Sequence, residues 1–590
     1  MKSFLKSLLA AFIGTLAALF ICMVITFGII GSIAMIGSSD SDAVIPPSAI
    51  LKIDLSQPVT ERGNDDPLSG FSSMSFEPKA KSISIYNAVR AIEEATTDPS
   101  IKFVFMNLNS MNIGMSQLEE LRAAVASFRE SGKPVIAYAA NYSQGAYYLA
   151  TVADKIYLQR DGSVQMFGLG TNVMFFKDLL DKLGIEFQLI RHGKFKAAAE
   201  QFIANKISNE NKEQNQAMLD AIWETWIGAM GKSRDISPDK LNELTNDLKI
   251  GKVESLLENN LIDEAVTYSE LNDKICTLFG VEREKDLKMV TLLKYANAKI
   301  KPDIKVKDKI AILYADGEIA MDGSDGITAS KFCPEIKKIR EDSTIKALVL
   351  RVNSPGGDAQ AAEMINAELQ LLRETKPVIV SFGDYAASGG YWISAKSDCI
   401  YTNNTTITGS IGVFSLMINY GKGLKKHLDI NTATITTNRH SDMFSGLRPL
   451  NQKEQDYLQG FVEDIYVKFT DLVAAGRDLD VKYVDSVGQG RVWAGSDALE
   501  LKLADKLGGL NDAVKYAAEY AGLDKYRIAE YPAIKTSMEK FMEMLDETSA
   551  SASVLTDPYG AFEKIYSNLR NSEQQSITYA RLPYVYEFNY

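Results

Sequence analysis

The sequence predicts an α/β protein built from two tandem copies of one βα unit, with helical arms and one N-terminal transmembrane helix ahead of them. Three observations carry this reading. Short apolar runs rich in β-branched residues alternate with helical-period segments, which is the signature of a parallel sheet covered by helices. The order of elements then recurs. Ile101–Ser110 (IKFVFMNLNS) returns as Ile345–Ser354 (IKALVLRVNS), Lys133-Pro134-Val135-Ile136 as Lys376-Pro377-Val378-Ile379, and Ala153–Tyr157 as Ser397–Tyr401, at offsets of 243 or 244 residues. Matches in one order at nearly one offset mark an internal duplication. Finally, the run from Ser7 to Ser39 carries no charge.

That run comes first in the chain. Its core, Leu8 to Ile36, rises by roughly 1.5 Å per residue and so exceeds the roughly 30 Å hydrocarbon layer. A cleaved signal peptide competes, with Ser32-Ile33-Ala34 as a small-x-small triplet, but its apolar region would span only about 7–15 residues. An uncleaved anchor is favoured. Lys2 and Lys6 precede it and Asp40 and Asp42 follow, which places the N-terminus in the cytoplasm and the bulk of the chain across the membrane. In a bacterium this means a single-pass protein of the inner membrane with a periplasmic body. Residues 1–45 are therefore stub and anchor, 46–300 the first repeat, 301–530 the second, and 531–590 a tail.

In the first repeat, Ala49–Leu55 reads as a strand, 60–80 as a polar loop, Ile85–Ala95 as a helix, Phe103–Met106 as a strand, Leu118–Phe128 as a helix and Val135–Ala140 as a strand. Gly168 to Met230 reads as a helical arm that includes Gly184–Phe202 and the long segment Asn209–Met230. Residues 290–308 read as the linker between repeats. The weaker pair Ala49-Ile50-Leu51 and Ala311-Ile312-Leu313 opens the two copies. In the second, Pro377–Phe382 is an apolar strand ended by Gly383, and Gly389 to Ser397 looks helical. Lys453–Ala475 is an amphipathic helix, and Val492–Ala494 a short strand or turn. The tail from Tyr531 suggests no role.

Composition excludes several functions. With 590 residues and a formal net charge of −12 the chain shows no basic stripe for nucleic acid. Its four cysteines are scattered and its histidines number three, His192, His427 and His440. Neither a CxxC nor an HExxH motif nor a P-loop is present, so no metal or cofactor is expected.

The copies differ where chemistry belongs. NSPGG (Asn353 to Gly357) faces Asn109-Ser110-Met111-Asn112-Ile113, which lacks the glycine pair. DYAASGGYW (Asp384 to Trp392) faces the shorter Asn141–Tyr148, and aligning Tyr147 with Tyr391 puts Ser388 at the gap. Ser388 stands between a strand and a helical segment, where unpaired N–H groups can receive an oxyanion. A serine needs a base, and with so few histidines lysine is the remaining candidate. Lys196, in GKFKAAAE with Phe195 before it and Ala197-Ala198-Ala199 after, offers burial and a helix start, both of which lower a lysine pKa. The plainer reading is a solvated lysine with its stem on an apolar surface. The corresponding stretch of the second copy, Leu428–Leu447, has Arg439 but no lysine. One half holds the serine and the other the lysine; alternatively the first half is only a degenerate copy.

NSPGG followed about thirty residues later by ASGGYW, with GKFKAAAE upstream, resembles the signal peptide peptidase A (protease IV) family in its long, duplicated, membrane-anchored form. The resemblance runs from the anchor to about residue 530. It implies a fold akin to the Clp protease subunit and crotonases. It also implies a Ser-Lys dyad and a homo-oligomer, a tetramer in this form, that cleaves remnant signal peptides within their apolar stretches. Carried over, Ser388 is the nucleophile and Lys196 the general base. Gly389 and Gly357, the latter paired with Gly356, supply the oxyanion donors. The base segment departs from the family pattern at Ala197, where a serine is usual, and at Gln201, where a proline is usual. If the serine orients the lysine in relatives, another group must do so here. Ser410 and Ser354 are expected to be structural. The alternatives are a crotonase-like acyl-thioester-binding protein and a non-catalytic membrane scaffold, which fluorophosphonate labelling separates. The uncharged neighbours of Ser388 (Tyr385, Ala386, Ala387, Tyr391 and Trp392) predict small or apolar residues at the cleavage position.

Overall fold

The computed structural model describes residues 44–63, 81–323, 326–533 and 578–582, together with Gly14, Thr15 and Ile21. Most of the expected anchor, most of the 60–80 loop and most of the tail lie outside the described residues. Among the described residues no helix is long and apolar enough to cross a membrane.

Each copy forms a sheet. The first runs Glu264–Val266, Lys155–Gln159, Val135–Ala139, Ile101–Asn107, Ala49–Asp54, Met289–Thr291, all parallel. The second runs Val492–Ala494, Ile407–Gly409, Val378–Ala387, Ile345–Ser354, Lys309–Asp316, Arg527–Tyr531, with only the Ile407–Gly409 and Val492–Ala494 pair antiparallel. Strands buried on both faces read as continuous apolar runs. Thus Leu348 and Leu350 pack with Ile336 and Ile365 on one face, while Ala347 and Val349 pack with Val514 and Ala517 on the other.

The repeated sequence words have repeated physical jobs. Lys133 Nζ donates to the carbonyls of Ala95 and Asp98, both at 2.7 Å, at the end of the helix Ile85–Thr97. Lys376 Nζ does the same to Ile339 and Asp342 at 2.6 Å, ending the helix Ala329–Glu341. A helix C-terminus leaves carbonyls unpaired and favours a cation, so each lysine caps one helix just before the next strand begins. Tyr147 donates to Leu261 O at 2.7 Å and Tyr391 to Leu503 O at 2.8 Å, the same bond in both copies.

Four local expectations change. Residues 290–308 are not all linker, because Met289–Thr291 is an edge strand and Leu292–Lys299 a helix whose Tyr295 hydroxyl donates to Asp98 at 2.8 Å. Gly383 does not end its strand, which continues to Ala387. Its glycine is needed for close approach, since a Cβ there would lie 2.8 Å from Glu61 Oε1 and 3.0 Å from Asn353 Cβ. The helical segment after Ser388 stops at Trp392 and continues only as turns. The arm of the first copy contains a strand, Glu186–Arg191, that pairs antiparallel with Phe414–Asn419 of the second. These two strands belong to a third sheet, ordered Ile327–Thr328, Ile319–Ala320, Gly356–Asp358, Tyr579–Arg581, Phe414–Asn419, Glu186–Arg191. The C-terminal tail therefore supplies an internal strand.

Candidate active site

Ser388 follows the strand Val378–Ala387 and precedes the helix Gly389–Trp392 with φ 56° and ψ −113°. A non-glycine residue held there stores about 1–3 kcal/mol of strain, a pattern that clusters at functional sites. Its N–H donates to Gly409 O at 2.8 Å, which helps hold the turn. Its hydroxyl does not cap the helix. In the first copy the same N-cap place belongs to Ser143, in relaxed extended backbone, whose hydroxyl accepts from Ala146 N at 3.3 Å. The sequence comparison missed this counterpart. A serine just ahead of a helical segment was the available signal. The duplicate serine serves its own helix, whereas Ser388 is turned outward from that role.

Lys196 comes to Ser388 from the other copy. Its side chain is fully buried. Nζ lies 2.7 Å from Ser388 Oγ, 3.0 Å from Ser410 Oγ and 3.2 Å from Ser410 O. The segment that carries it is pinned on both sides of the chain. Phe195 N donates to Gln489 O at 3.1 Å, and Phe195 O accepts from Gln214 Nε2 at 3.0 Å. Gly490, at φ +83°, packs so closely that a Cβ there would lie 2.6 Å from Lys196 Cβ. Burial holds the Lys196 pKa well below its ordinary 10.5. The expected helix start makes no contribution, because Lys196 sits in irregular backbone and the short helix begins only at Glu200.

The glycines lie beside the serine. Gly356 has φ +97°, and a Cβ on it would stand 2.7 Å from Gly389 N. A Cβ on Gly389 would stand 3.2 Å from Gly357 N. The N–H groups of Gly389 and Gly357 thus border one small space that tolerates no side chain, the geometry an oxyanion site requires. The four-residue helix after Ser388 is too short for a substantial macrodipole, so the individual N–H groups carry this role.

Among the other polar candidates, Ser354 Oγ accepts from Gly356 N at 3.2 Å and shapes the glycine turn. Ser410 is more than structural, for it touches Lys196 Nζ directly. The histidines are engaged elsewhere: His192 with Glu463, His427 with Lys182 O, and His440 with Glu454. Two residues expected to line the cleavage pocket do not. Tyr391 and Trp392 are buried in the core of the second copy, bonded to Leu503 O and Glu363 respectively.

Comparison with known proteins bears on this arrangement. The model of peptidase family S49 matches residues 127–282 and again residues 370–524, one match in each copy. The chain belongs to peptidase family S49. Protease 4 of Haemophilus influenzae is 36% identical over 76% of this chain and 75% of its own length. Protease 4 of Salmonella typhi is 33% identical over 78% and 76%. The chloroplastic serine protease SPPA of Arabidopsis thaliana is 32% identical over 73% and 64%. This S49 chain is thus a serine peptidase of the long, duplicated SppA/protease IV form. A ClpP1 mutant from Listeria monocytogenes matches 34% of this chain at 11% identity with a TM-score of 0.24, which carries no argument for the expected Clp-like or crotonase-like kinship.

Within this S49 peptidase, the Ser410 hydroxyl meets the Lys196 amine at 3.0 Å, while residue 197 beside the lysine is an alanine with no hydroxyl to offer. The two copies are also tied together next to the nucleophile strand. The helix Met115–Glu130 of the first copy begins against Asp384 of the second, whose Oδ1 accepts from Ser116 N and Ser116 Oγ, both at 2.7 Å. Arg351, on the strand leading to NSPGG, is fully buried between Glu61 at 2.6 Å and Glu120 at 2.9 Å. Its remaining nitrogen donates to Ser381 Oγ and Phe382 O, both at 2.8 Å.

Proposed function

We propose that this serine peptidase is an endopeptidase in which Ser388 attacks a peptide carbonyl and Lys196, as a neutral amine, takes the hydroxyl proton. The observation that carries this reading is the 2.7 Å contact between Lys196 Nζ and Ser388 Oγ, made between buried side chains of different copies. A buried amine without a carboxylate partner disfavours its own charged form, which is what a general base at neutral pH requires. The N–H groups of Gly389 and Gly357, with Gly356 shaping the turn, receive the developing oxyanion. Ser410 orients the amine through its hydroxyl and carbonyl. The leaving amine recovers the proton from Lys196, and water then releases the acyl group by the same route in reverse.

The proposed substrates are cleaved signal peptides, cut in their apolar segments. The proposed location is a bacterial inner membrane, with Ser7–Ser39 as a single-pass anchor, the catalytic part in the periplasm, and a tetramer as the assembly. Support comes from the uncharged Tyr385, Ala386 and Ala387 that lead to Ser388 and from the anchor pattern in the sequence. Charged side chains at the cleavage position would be desolvated without compensation. A peptide library should therefore give its highest kcat/KM for Ala-, Leu- or Phe-like residues before the scissile bond. A preference for Lys, Arg, Asp or Glu there would refute the substrate assignment. Protease added outside spheroplasts should digest the globular part, and its full protection would refute the location.

A further inference from the structure

Lys196 is seated by a turn of the second copy. Residues 192–196 wrap around Gln489 and Gly490. His192 N donates to Val413 O at 3.1 Å, which extends the antiparallel ladder that places Arg191 opposite Phe414. Gly193 has φ +90°, and a Cβ on it would lie 2.4 Å from Gln489 O. That same oxygen receives the Phe195 N–H, and Gly490 backs onto Lys196. The turn is tied to the serine side as well, since Gly490 N donates to Ile411 O and Ser410 N donates to Arg491 O, both at 2.7 Å. Gln489 itself stands at φ 52°, a left-handed conformation that a non-glycine residue keeps only where its surroundings fix it.

Tyr466 meets this turn from the helix Gln452–Arg477. Its hydroxyl accepts the Gln489 N–H at 3.1 Å and donates to Asp485 Oδ1 at 2.6 Å. A phenol has one hydrogen to give, so the bond to Asp485 leaves its lone pairs to face Gln489. Burial and the Asp485 bond raise the Tyr466 pKa above its ordinary 10, so the hydroxyl stays protonated. Its ring packs with Ile190 and Val413 and lies against the His192 imidazole, with centroids 3.7 Å apart and planes 20° from parallel. His192 Nδ1 in turn meets Glu463, one turn earlier on the same helix. The contacts form a closed ring: Tyr466 to Gln489, Gln489 to Phe195, and the chain from Lys196 back through His192 to Tyr466.

We propose that Tyr466 is a positioning residue of this peptidase: its hydroxyl holds the Gln489–Gly490 turn, and the turn seats the Lys196 amine against Ser388. This rests on the Ser388–Lys196 reading given above. Without the hydroxyl, the Gln489 N–H loses its acceptor, and a donor left so is drawn toward water. Gly490 then no longer backs Lys196, so the amine gains water and moves from Ser388 Oγ. A misplacement of about 1 Å in a reacting group costs roughly 10²-fold in rate. Re-solvation also lets the lysine pKa climb back toward 10.5, which carries the acid limb of the rate profile to higher pH.

The test compares Tyr466→Phe with the parent full-length chain by the pH dependence of kcat and by KM for an apolar peptide, with thermal unfolding as the check on folding. At neutral pH kcat is expected to fall roughly 10²-fold with KM little changed. The acid limb is expected to move to higher pH, so that the deficit narrows as pH rises. A change that only loosened the fold would lower the unfolding temperature and leave the acid limb in place. Asp485→Ala is the second variant, because it keeps the Tyr466 ring and removes only the acceptor that orients its hydroxyl. It is expected to move the limb the same way by less, and it decides the matter if Tyr466→Phe does not fold, an unmoved limb there overturning the inference. A folded Tyr466→Phe with parental kcat, or with lower kcat on an unmoved acid limb, overturns this inference and leaves the dyad standing while Ser388→Ala is inactive. Turnover retained in Ser388→Ala overturns both.

Discussion

Ser388→Ala and Lys196→Met are each expected to lower kcat/KM for a peptide by roughly 10⁴–10⁶-fold, with the double variant no worse than either single one, because a nucleophile and its base act as a unit. Folding should survive both changes. Ser388→Ala removes one hydroxyl, and Lys196→Met replaces a buried amine by an apolar chain of similar length. At neutral pH the Met variant should be as stable as the parent or more so. The sign follows from proton counting. The folded Lys196 pKa lies well below the ordinary 10.5, so between those two values the unfolded chain binds a proton that the folded chain does not. In the parent, the Lys196 contribution to stability therefore improves as pH rises through that window and is least favourable below it. The pH–rate profile carries the same group: activity is present above the folded pKa of Lys196 and is lost as pH falls through it. Retained turnover in Ser388→Ala, or an acid limb unchanged in a variant that re-solvates Lys196, would remove the dyad from the mechanism.

Arg351→Met should cost about 3–5 kcal/mol of stability, the usual result of taking one partner from a buried ionic cluster. Glu61 and Glu120 would be left facing each other without their cation, in a place where both are almost fully buried. Burial already raises the Glu120 carboxyl, opposed by Arg351. Without the arginine its folded pKa rises further above the unfolded value of about 4.3, so the variant should lose stability progressively as pH rises above that value. Denaturant midpoints at pH 5 and pH 8 measure this directly, and a larger loss at pH 5 would contradict it. Activity should fall as well, since Arg351 lies on the strand that leads to Ser354 and Gly356 and bonds Phe382 O on the nucleophile strand. Equal stability of Arg351→Met and parent would show that the cluster does not hold the copies together.

Much of this protein was written locally in its chain. Leu348 to Leu350 form a parallel strand because an uninterrupted apolar run suits a surface covered on both faces. Lys133 and Lys376 stand before their strands because helix ends need cations. The absence of a lysine from Leu428–Leu447 could be read from aligned words, as could the glycine pair at Gly356 and Gly357, but the alignment passed over Ser143, which holds the N-cap place of Ser388 in the first copy. These features depend on neighbours within a few residues, or on comparison of one copy with the other.

Other features depend on contacts between residues hundreds of positions apart, for which local sequence carries no signal. That Gly383 continues a strand follows from the nearness of Glu61 and Asn353. That Ser410 meets Lys196 follows from how the arm of one copy enters the other, and the word Gly-Ser-Ile-Gly around it reads only as a turn. Tyr391 and Trp392 follow the nucleophile closely in sequence yet lie in the core, Tyr391 against Phe382 and Trp392 against Phe469, residues 9 and 77 positions away. That Ala580 of the aromatic tail pairs with Gly357, more than two hundred residues earlier, has no local signal either. The duplicated α/β frame, the lysine word in one copy and the glycines beside the serine in the other are legible in the sequence, since periodicity, capping and repetition are local. Only the tertiary structure decided that the amine is desolvated against the hydroxyl, that Ser410 attends it, and that the tail lies across the glycines, because burial and distance are properties of packed neighbours and not of order along the chain.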